Sequence, residues 1–252
     1  MVRIIMCGCN GYMGRTVTDI VSADEDAAIV AGIDLEDHGD KSYPVFTNIA
    51  DCDVEADVVI DFSSPKALDG ILAYCTEKKV AAIFCTTGYT PEQLEQIKAA
   101  SEKTAVMKSA NMSLGINMLL KLVKDAAKLL APAGFDMEIV EKHHNLKVDA
   151  PSGTALALAD SLNEALGQKY DYKYDRSKDR KKREKYEIGI SAVRGGNIVG
   201  EHEVIFAGLD EVIEFRHTAY SKGVFAKGAV QAAKYMAGKP AGFYDMGDVV
   251  CG

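Results

Sequence analysis

The sequence predicts an α/β protein in which a doubly wound parallel sheet is joined to a smaller α+β domain. The first observation is a continuous apolar run at residues 2–7, typical of a buried parallel strand, which leads into a glycine-rich turn and a helical pattern at 14–21. The second is the recurrence of apolar runs, with helical stretches between several of them. These further runs lie at 28–34, 56–62, 80–84 and 104–108.

The pattern changes after Asn111. A long amphipathic helix is predicted at 114–130, then a strand at 137–141 and a second helix at about 154–166. Three strand-like runs follow at short spacing, which favours an antiparallel sheet. They lie at 187–193, 198–206 and 211–217. A final helix at 224–236 and the tail after it hint that the chain returns to the first domain.

Composition excludes several classes of function. Of the 252 residues, 48% are hydrophobic and 26% charged, which suits a globular protein with a sizeable core. The net charge is −8 and the sequence pI is near 5.2, so we expect small molecules or further copies of the chain as partners, and no nucleic acid.

The cysteines and the apolar segments indicate a cellular location. The six cysteines are scattered, without the paired spacing of a zinc site or a disulfide framework, so we expect reduced thiols. The start MVRIIMCG is too short and too soon broken by glycine for a signal peptide, and no apolar run has membrane-spanning length. We therefore expect a cytoplasmic protein that does not bind membranes.

The turn after the first strand has the spacing of a dinucleotide-binding loop. Gly8, Gly11 and Gly14 form a G-x-x-G-x-x-G pattern between strand and helix, where the backbone can approach a pyrophosphate at the helix N-terminus. Asp34 ends the second strand 20 residues after Gly14, where a carboxylate can accept hydrogen bonds from a ribose. These spacings predict a Rossmann-like domain that binds a dinucleotide.

Two further strand ends fit the same prediction, because ligands of open α/β sheets lie beyond the carboxyl ends of the strands. DFSSP at 61–65 and CTTGY at 85–89 occupy such places, and their small side chains leave room for a nicotinamide ring. Helix signals follow the second of them: in TPEQ, Thr90 suits the N-cap and Gln93 completes a capping box.

The loop EKHHNLKVDAPSGTA, at 141–155, concentrates the reactive side chains. His143 and His144 can exchange protons near neutral pH, and Lys147 can hold an anion or supply a proton. Ser152 suits a helix N-cap, so the N–H groups of Gly153 and Thr154 can face an anion. The loop therefore predicts a site for carboxylates with a proton donor beside it.

Two competing chemistries are disfavoured. A metal site at Glu138, Glu141, His143, His144 and Asp149 lacks H-E-x-x-H or another ligand spacing, and we expect no metal. Thiol nucleophilic catalysis is disfavoured because no cysteine falls in this loop.

The chain resembles the 4-hydroxy-tetrahydrodipicolinate reductases, also called dihydrodipicolinate reductases. The resemblance covers nearly the whole chain, and HHxxKxDAPSGTA is its most specific signature. The other matching segments are GCNGYMGR, DFSSP, TTGY, SANMSLGIN, RGGNIVGEH, FAKGAV and FYDMGDV. It implies NAD(P)H-dependent reduction of a cyclic dicarboxylate imine to tetrahydrodipicolinate in lysine and diaminopimelate biosynthesis.

The resemblance also implies domains and site residues. It implies a discontinuous dinucleotide-binding domain at 1–112 and 222–252, a substrate and oligomerisation domain at 113–221, and a homotetramer. His143 and Lys147 are the implied catalytic residues, and His144, Gly153 and Thr154 the implied substrate-binding residues. The implied nucleotide contacts are Gly8, Cys9, Asn10, Gly11, Tyr12, Met13, Gly14, Arg15, Asp34, Cys85, Thr86, Thr87, Ser109, Ala110, Asn111 and Met112.

The sequence departs from the family at two of these positions. The family often has glycine where Cys85 stands and an aromatic residue where Met112 stands, so nicotinamide contacts differ in detail. The basic residues of the charged stretch 170–186 suit a solvated face, and we assign them no role.

Charge around Asp34 favours NADH over NADPH. A carboxylate there accepts the ribose 2′-hydroxyl and repels a 2′-phosphate, and Glu36 and Asp37 add two acids before Lys41, the first downstream cation. Arg15 beside the glycine loop opposes this, and family members often accept both cofactors. We therefore expect a preference for NADH with NADPH also accepted.

Two alternatives remain open on the residues alone. One is a nucleotide-binding redox sensor, which has no need for HHxxK. The other is a different two-domain dehydrogenase acting on an amino-acid precursor. Substrate-dependent NADH oxidation in a panel of substrates separates these classes.

Overall fold

The computed structural model describes residues 1–109, 111–177 and 180–252. Its strands are, in chain order, β1 (Val2–Cys7), β2 (Ala27–Ile33), β3 (Val45–Phe46), β4 (Val58–Asp61), β5 (Ala81–Phe84), β6 (Ala105–Lys108), β7 (Asp136–His143), β8 (Asp171–Lys173), β9 (Glu187–Arg194), β10 (Gly200–Ala207), β11 (Val212–Ala219) and β12 (Gly242–Tyr244). Its helices are α1 (Tyr12–Ser22), α2 (Leu68–Lys78), α3 (Pro91–Ala100), α4 (Leu114–Leu130), α5 (Gly153–Ala165), α6 (Gly223–Met236) and α7 (Met246–Cys251).

The chain divides into two compact units. Unit 1 comprises Met1–Leu114 and Gly223–Gly252, and unit 2 comprises Gly115–Lys222. Unit 1 contains a parallel sheet of order β12-β6-β5-β4-β1-β2-β3. β2 and β3 lie on one side of β1 and β4 to β6 on the other, so the strand order reverses at β1. This is the doubly wound arrangement predicted from the sequence, and the fold class is confirmed.

The continuous apolar run of β1 exists because both faces of this sheet are covered. Ile4 and Met6 point into a core shared with α1 and α6, whereas Ile5 and Cys7 point into a second core shared with α2 and α3. All four side chains are at most 1% exposed. A strand buried on both faces has no polar side to alternate with, which is why the run reads as uninterrupted.

Unit 2 packs two helices on one face of a five-stranded sheet of order β11-β10-β7-β9-β8. Leu119 and Val123 of α4 and Leu158 of α5 meet Ile139 of β7 and Phe206 of β10 in one core. Along β7, buried and partly buried residues alternate, so odd-numbered side chains from Met137 to His143 face the helices. The last two of these, Glu141 and His143, are polar.

The expectation of an antiparallel sheet is wrong in part. β10 is antiparallel to β7 and β11, but β9 is parallel to both β7 and β8. Parallel pairing needs a long crossover, and the polar loop with α5 supplies one between β7 and β8. β9 then inserts between β7 and β8. The short spacing of β9 and β10 in the sequence therefore did not predict which strands pair with β9.

Local signals were more reliable. The helix at 114–130 is found as predicted, and the capping box of Thr90 and Gln93 at the start of α3 is confirmed. Other predicted ends differ by a few residues. In the part of the chain that the structure describes, no helix combines the length and apolarity that crossing a membrane requires.

Candidate active site

The glycine-rich turn of unit 1 is tightly folded. Gly8 has φ +80°, and a Cβ on Gly14 would lie 2.1 Å from the Gly8 carbonyl oxygen. The Gly11 N–H donates to that same oxygen at 3.1 Å, and α1 begins at the next residue without a side-chain cap on Gly11. The turn therefore brings backbone N–H groups and a helix N-terminus to the carboxyl end of β1, where a phosphate group can be held.

Asp34 lies directly after β2 and is tied to this turn. Its Oδ2 accepts from the Asn10 N–H at 2.7 Å, and its Oδ1 accepts from the Leu35 N–H at 2.8 Å. The Asn10 side chain in turn donates to the Glu36 carbonyl oxygen at 2.8 Å. Arg15 donates its Nε–H to the Asn10 carbonyl oxygen at 2.8 Å. The predicted ribose-binding carboxylate and the predicted phosphate loop thus meet.

The other predicted nucleotide residues of unit 1 follow neighbouring strands. Cys85, Thr86 and Thr87 come directly after β5, and only Thr87 of these is exposed. Cys9 is buried, and Tyr12 and Met13 open helix α1. Burial raises the pKa of Cys9 to about 11 and that of Cys85 further, so both thiols stay protonated.

The segment after β6 completes this edge of the sheet. The Ser109 hydroxyl donates to the Asn111 carbonyl oxygen at 2.9 Å, and Met112 is 3% exposed. A Cβ on Gly228 of α6 would lie 1.7 Å from the Met112 carbonyl oxygen, so this helix packs closely on the segment. Ala110, also predicted as a nucleotide contact, lies outside the described residues.

A buried carboxylate joins two of the loops in unit 1. Asp61, 1% exposed at the end of β4, accepts from the Ser63 N–H at 2.9 Å and from the Tyr89 hydroxyl at 2.8 Å. Tyr89 belongs to the CTTGY segment and Ser63 to DFSSP, so one side chain holds both strand ends. The sequence predicted the two segments at strand ends, but it did not reveal this link.

In unit 2, the polar loop begins at the carboxyl end of β7, where His143 and Glu141 share the buried face of the strand. His143 Nδ1 lies 2.5 Å from Glu141 Oε2, and Glu141 is fully buried. Arg194 donates to both oxygens of Glu141, at 2.8 and 2.7 Å. The Ser152 N–H donates to Glu141 Oε1 at 3.0 Å.

Arg194 and Glu141 form an ion pair in which each partner stabilises the charged form of the other. Burial alone would raise the pKa of Glu141, but the hydrogen bonds from Arg194 and His143 outweigh it and the pKa is lowered. The same ion pair raises the pKa of Arg194. Glu141 is therefore an ionised carboxylate in the interior of unit 2.

A second histidine lies beside His143. The His202 ring is 5.1 Å from the His143 ring, edge to face, and its Nε2 lies 3.0 Å from the Ser152 hydroxyl. Burial, followed by the charge of His143, lowers the pKa of His202 to about 4. His202 is thus a neutral, buried neighbour near pH 7.

The remaining predicted residues lie in the loop after β7 and at the start of α5. Ser152 caps the helix as predicted, its Oγ accepting from the Ala155 N–H at 3.2 Å. Lys147 pairs with Asp149 at 2.8 Å, and the pKa of Asp149 is lowered first by Lys147 and further by the Gly153 N–H. His144 and Thr154 are half-buried and Gly153 is exposed.

The short link between β9 and β10 brings Arg194 and His202 to the end of β7 that carries His143. Residues 195–199 cross the end of β7, with the Gly195 N–H donating to the His143 carbonyl oxygen at 2.9 Å and the Asn145 N–H to that of Gly196 at 3.2 Å. The crossing sets Arg194 on one side of β7 and His202 on the other. Sequence reasoning missed both as site residues, although both lie in the RGGNIVGEH segment.

It also missed Glu141 as the partner of His143. The signal available was the i, i+2 spacing of the two residues: the predicted strand 137–141 ended at Glu141, and its continuation to His143 places both side chains on one face.

Comparisons with known proteins agree over the full length. The family model described as "Dihydrodipicolinate reductase, N-terminus" matches residues 2–112, and "Dihydrodipicolinate reductase, C-terminus" matches residues 115–250. A 4-hydroxy-tetrahydrodipicolinate reductase of Clostridium novyi (strain NT) is 50% identical over 250 residues, covering 99% of this chain and 98% of that protein. One of Clostridium tetani (strain Massachusetts / E88) is 52% identical over 246 residues, covering 98% and 96%.

A solved structure is also similar. The dipicolinate-bound dihydrodipicolinate reductase from Paenisporosarcina sp. TG-14 has a TM-score of 0.81 and 25% sequence identity, and covers 97% of each chain. With both halves matched by the family models and close relatives matched end to end, the chain belongs to the dihydrodipicolinate reductase family.

Proposed function

We propose that the chain is a 4-hydroxy-tetrahydrodipicolinate reductase, an enzyme that uses NAD(P)H to reduce a cyclic dicarboxylate imine to tetrahydrodipicolinate in lysine and diaminopimelate biosynthesis. Its family and its relatives named for this activity support the proposal. The observation that carries it is the loop from His143 to Thr154, which gathers an imidazole, an ammonium group and a helix N-terminus.

Unit 1 fits a dinucleotide. The turn from Gly8 to Arg15 would hold the pyrophosphate. Gly14 has no side chain, which lets the backbone pack against Gly8 and keeps the turn open to a ligand at the helix N-terminus. Asp34 would accept from the ribose, and residues 85–87, Ser109, Asn111 and Met112 would line the nicotinamide. When bound, the reduced dinucleotide supplies a hydride ion, which is equivalent to two electrons and one proton.

Unit 2 would bind and protonate the substrate. His144 and the N–H groups of Gly153 and Thr154 are proposed to hold a substrate carboxylate at the start of α5. The Asp149 carboxylate, held by Lys147 and the Gly153 N–H, is the same chemical group that such a substrate presents. A substrate carboxylate would thus meet donors already arranged for an anion.

His143 and Lys147 are the proposed proton donors. The carbon or nitrogen that gains electron density as hydride arrives must take up one proton, and a positioned acid lowers the barrier to that transfer. His143 has one ring nitrogen occupied by Glu141, which leaves Nε2 for this role.

The test is the rate of NADH oxidation with enzymatically generated substrate, for the wild type and for His143→Ala and Lys147→Ala. Each variant should lose roughly two to four orders of magnitude in turnover, because each removes proton transfer or charge stabilisation. NADH binding, followed by fluorescence, should be unchanged. Turnover within about threefold of wild type in both variants would contradict these roles.

The cofactor preference is proposed to be for NADH, with NADPH also accepted. Each Asp34 oxygen accepts one backbone N–H and retains a lone pair for a ribose hydroxyl. Lys41, the first downstream cation, is paired with Asp40 at 2.9 Å. A 2′-phosphate would therefore meet acidic residues.

This preference is measured as kcat/KM for both cofactors at saturating substrate and fixed ionic strength, because salt screens charge. NADH should have the higher value, and Asp34→Asn should reduce the ratio by about tenfold, or roughly 1.4 kcal/mol. Asp19→Asn makes the same charge change on the exposed side of α1 and should leave the ratio unchanged. Equal values in the wild type would show that Arg15 outweighs Asp34.

The oligomeric state is proposed from the family resemblance alone. Four copies are expected to assemble through unit 2. Light scattering after size-exclusion chromatography measures the mass directly, and a monomer or dimer would contradict the proposal.

A further inference from the structure

We infer that Glu141 is a positioning residue: its carboxylate fixes the orientation and tautomer of His143 and holds the start of α5 beside it. The inference rests on the proposed function for its catalytic consequence. Its structural content rests on four hydrogen bonds that converge on one side chain.

Glu141 is a charged residue on the buried face of β7. Along β7 the face toward the helices carries Met137 and Ile139 and then Glu141 and His143. A buried carboxylate is costly unless it is paired and hydrogen-bonded. Both Glu141 oxygens are so engaged: Oε1 by Arg194 and the Ser152 N–H, and Oε2 by Arg194 and His143.

The contact with Glu141 sets the tautomer of His143. An ionised carboxylate only accepts hydrogen bonds, so the close contact of 2.5 Å requires that Nδ1 carry the proton. In neutral His143 the lone pair then lies on Nε2, and in the charged form Nε2 carries the proton to be donated. A Cβ on Gly200 would lie 3.2 Å from Nε2, so a glycine keeps that nitrogen clear.

The partners of Glu141 connect three segments of unit 2. Arg194 also donates to the Asp149 carbonyl oxygen at 2.6 Å, and the Ser152 N–H belongs to the cap of α5. One ion pair therefore fixes the strand that carries His143, the loop that carries Lys147, and the helix start proposed to bind a carboxylate. Replacing Glu141 should disturb proton transfer more than dinucleotide binding, which is assigned to unit 1.

Charged and titratable groups surround His143 on several elements. Glu141 shares its strand, Arg194 lies on β9, His202 and His217 on β10 and β11, and Lys147 and Asp149 in the loop. Of these, Glu141 hydrogen-bonds to the His143 ring, whereas the His202 ring packs against it edge to face. Loss of the Glu141 carboxylate should therefore leave the tautomer of His143 unfixed.

The experiment compares Glu141→Gln with Glu138→Gln on the same strand. Glu138 faces the other side of β7, where it contacts Arg176 and Arg183, so its variant controls for the loss of one carboxylate. Glu141→Gln should lower kcat by roughly 10²- to 10⁴-fold, as expected for a wrong tautomer, with little change in KM for NADH. Glu141→Asp should recover part of the rate.

A spectroscopic measurement tests the positioning without turnover. Nitrogen-15 NMR of the five histidines, with His143→Gln for assignment, reports which ring nitrogen carries the proton. Wild-type His143 should be protonated at Nδ1 at pH values where it is neutral, and the Nδ1 signature should be lost or reduced in Glu141→Gln.

The outcomes separate this inference from the proposed function. If the wild type does not reduce the substrate, the proposed function fails while the NMR result still decides the tautomer. If the wild type is active and His143→Ala is not, but Glu141→Gln keeps the wild-type kcat, the inference is overturned. If neutral His143 of the wild type carries its proton on Nε2 and not on Nδ1, the inference is overturned whether or not Glu141→Gln folds.

Discussion

At Gly153, the first residue of α5, a side chain would meet nothing of the protein itself. A Cβ there has no heavy atom within 4 Å, and the backbone is not in the left-handed region. The fold therefore gives no steric reason for glycine at this position. A ligand that approaches the backbone closely would give one, which agrees with the proposed capture of a carboxylate.

Gly153→Ala is accordingly expected to raise KM for the substrate by about tenfold, the equivalent of roughly 1.4 kcal/mol, without lowering the midpoint of thermal unfolding. Steady-state kinetics and a melting curve measure the two effects. Gly70→Ala, also in the first turn of a helix and in ordinary contact with Ile49, is the control and should change neither. An unchanged KM in Gly153→Ala would count against substrate contact at this residue.

At the scale of elements, the junction of β1 and α1 depends on two glycines that differ in the space around them. A Cβ on Gly14 would lie 2.1 Å from the Gly8 carbonyl oxygen, whereas one on Gly11 would lie 3.3 Å from the same atom. The first contact can be relieved only by moving backbone. The second needs a shift of a few tenths of an ångström.

Gly14→Ala should therefore destabilise the protein by roughly 1–3 kcal/mol, the usual cost of overpacking, and weaken NADH binding at least about tenfold. Urea unfolding and NADH fluorescence titration measure these effects. Gly11→Ala should be the less destabilised of the pair. If the two variants unfold at the same urea concentration, the close packing of the turn does not control the stability of unit 1.

At the scale of the whole molecule, a buried histidine makes stability depend on pH. Burial lowers the pKa of His202 from its ordinary value of 6.5 to about 4. As the pH falls, the unfolded chain therefore takes up this proton at a higher pH than the folded chain does. Its contribution is complete above pH 6.5 and is lost progressively as the pH falls toward 4. The full difference corresponds to roughly 3 kcal/mol.

Urea unfolding from about pH 7.5 to about pH 5 checks this expectation. The wild type should lose stability over this interval, and His202→Gln should lose less. His38→Gln, at an exposed loop residue, should follow the wild type. Parallel curves for wild type and His202→Gln would mean that other groups control the acid sensitivity.

Local chemistry explains what the sequence by itself determined. Uninterrupted apolar strands, the spacing of Gly8, Gly11 and Gly14, and the caps at Thr90 and Ser152 arise from interactions within a few residues. They predicted the doubly wound fold and most of its elements, and the HHxxKxDAPSGTA signature led to the family that the comparisons show.

Only the tertiary structure decided which distant residues meet. The five-residue link at 195–199 crosses the end of β7, so Arg194 and His202 reach Glu141 from opposite sides although they lie more than fifty residues away in sequence. The parallel pairing of β7 with β9 has the same origin. Strand order depends on which surfaces are buried together, and that global balance of burial leaves no periodicity in a single segment.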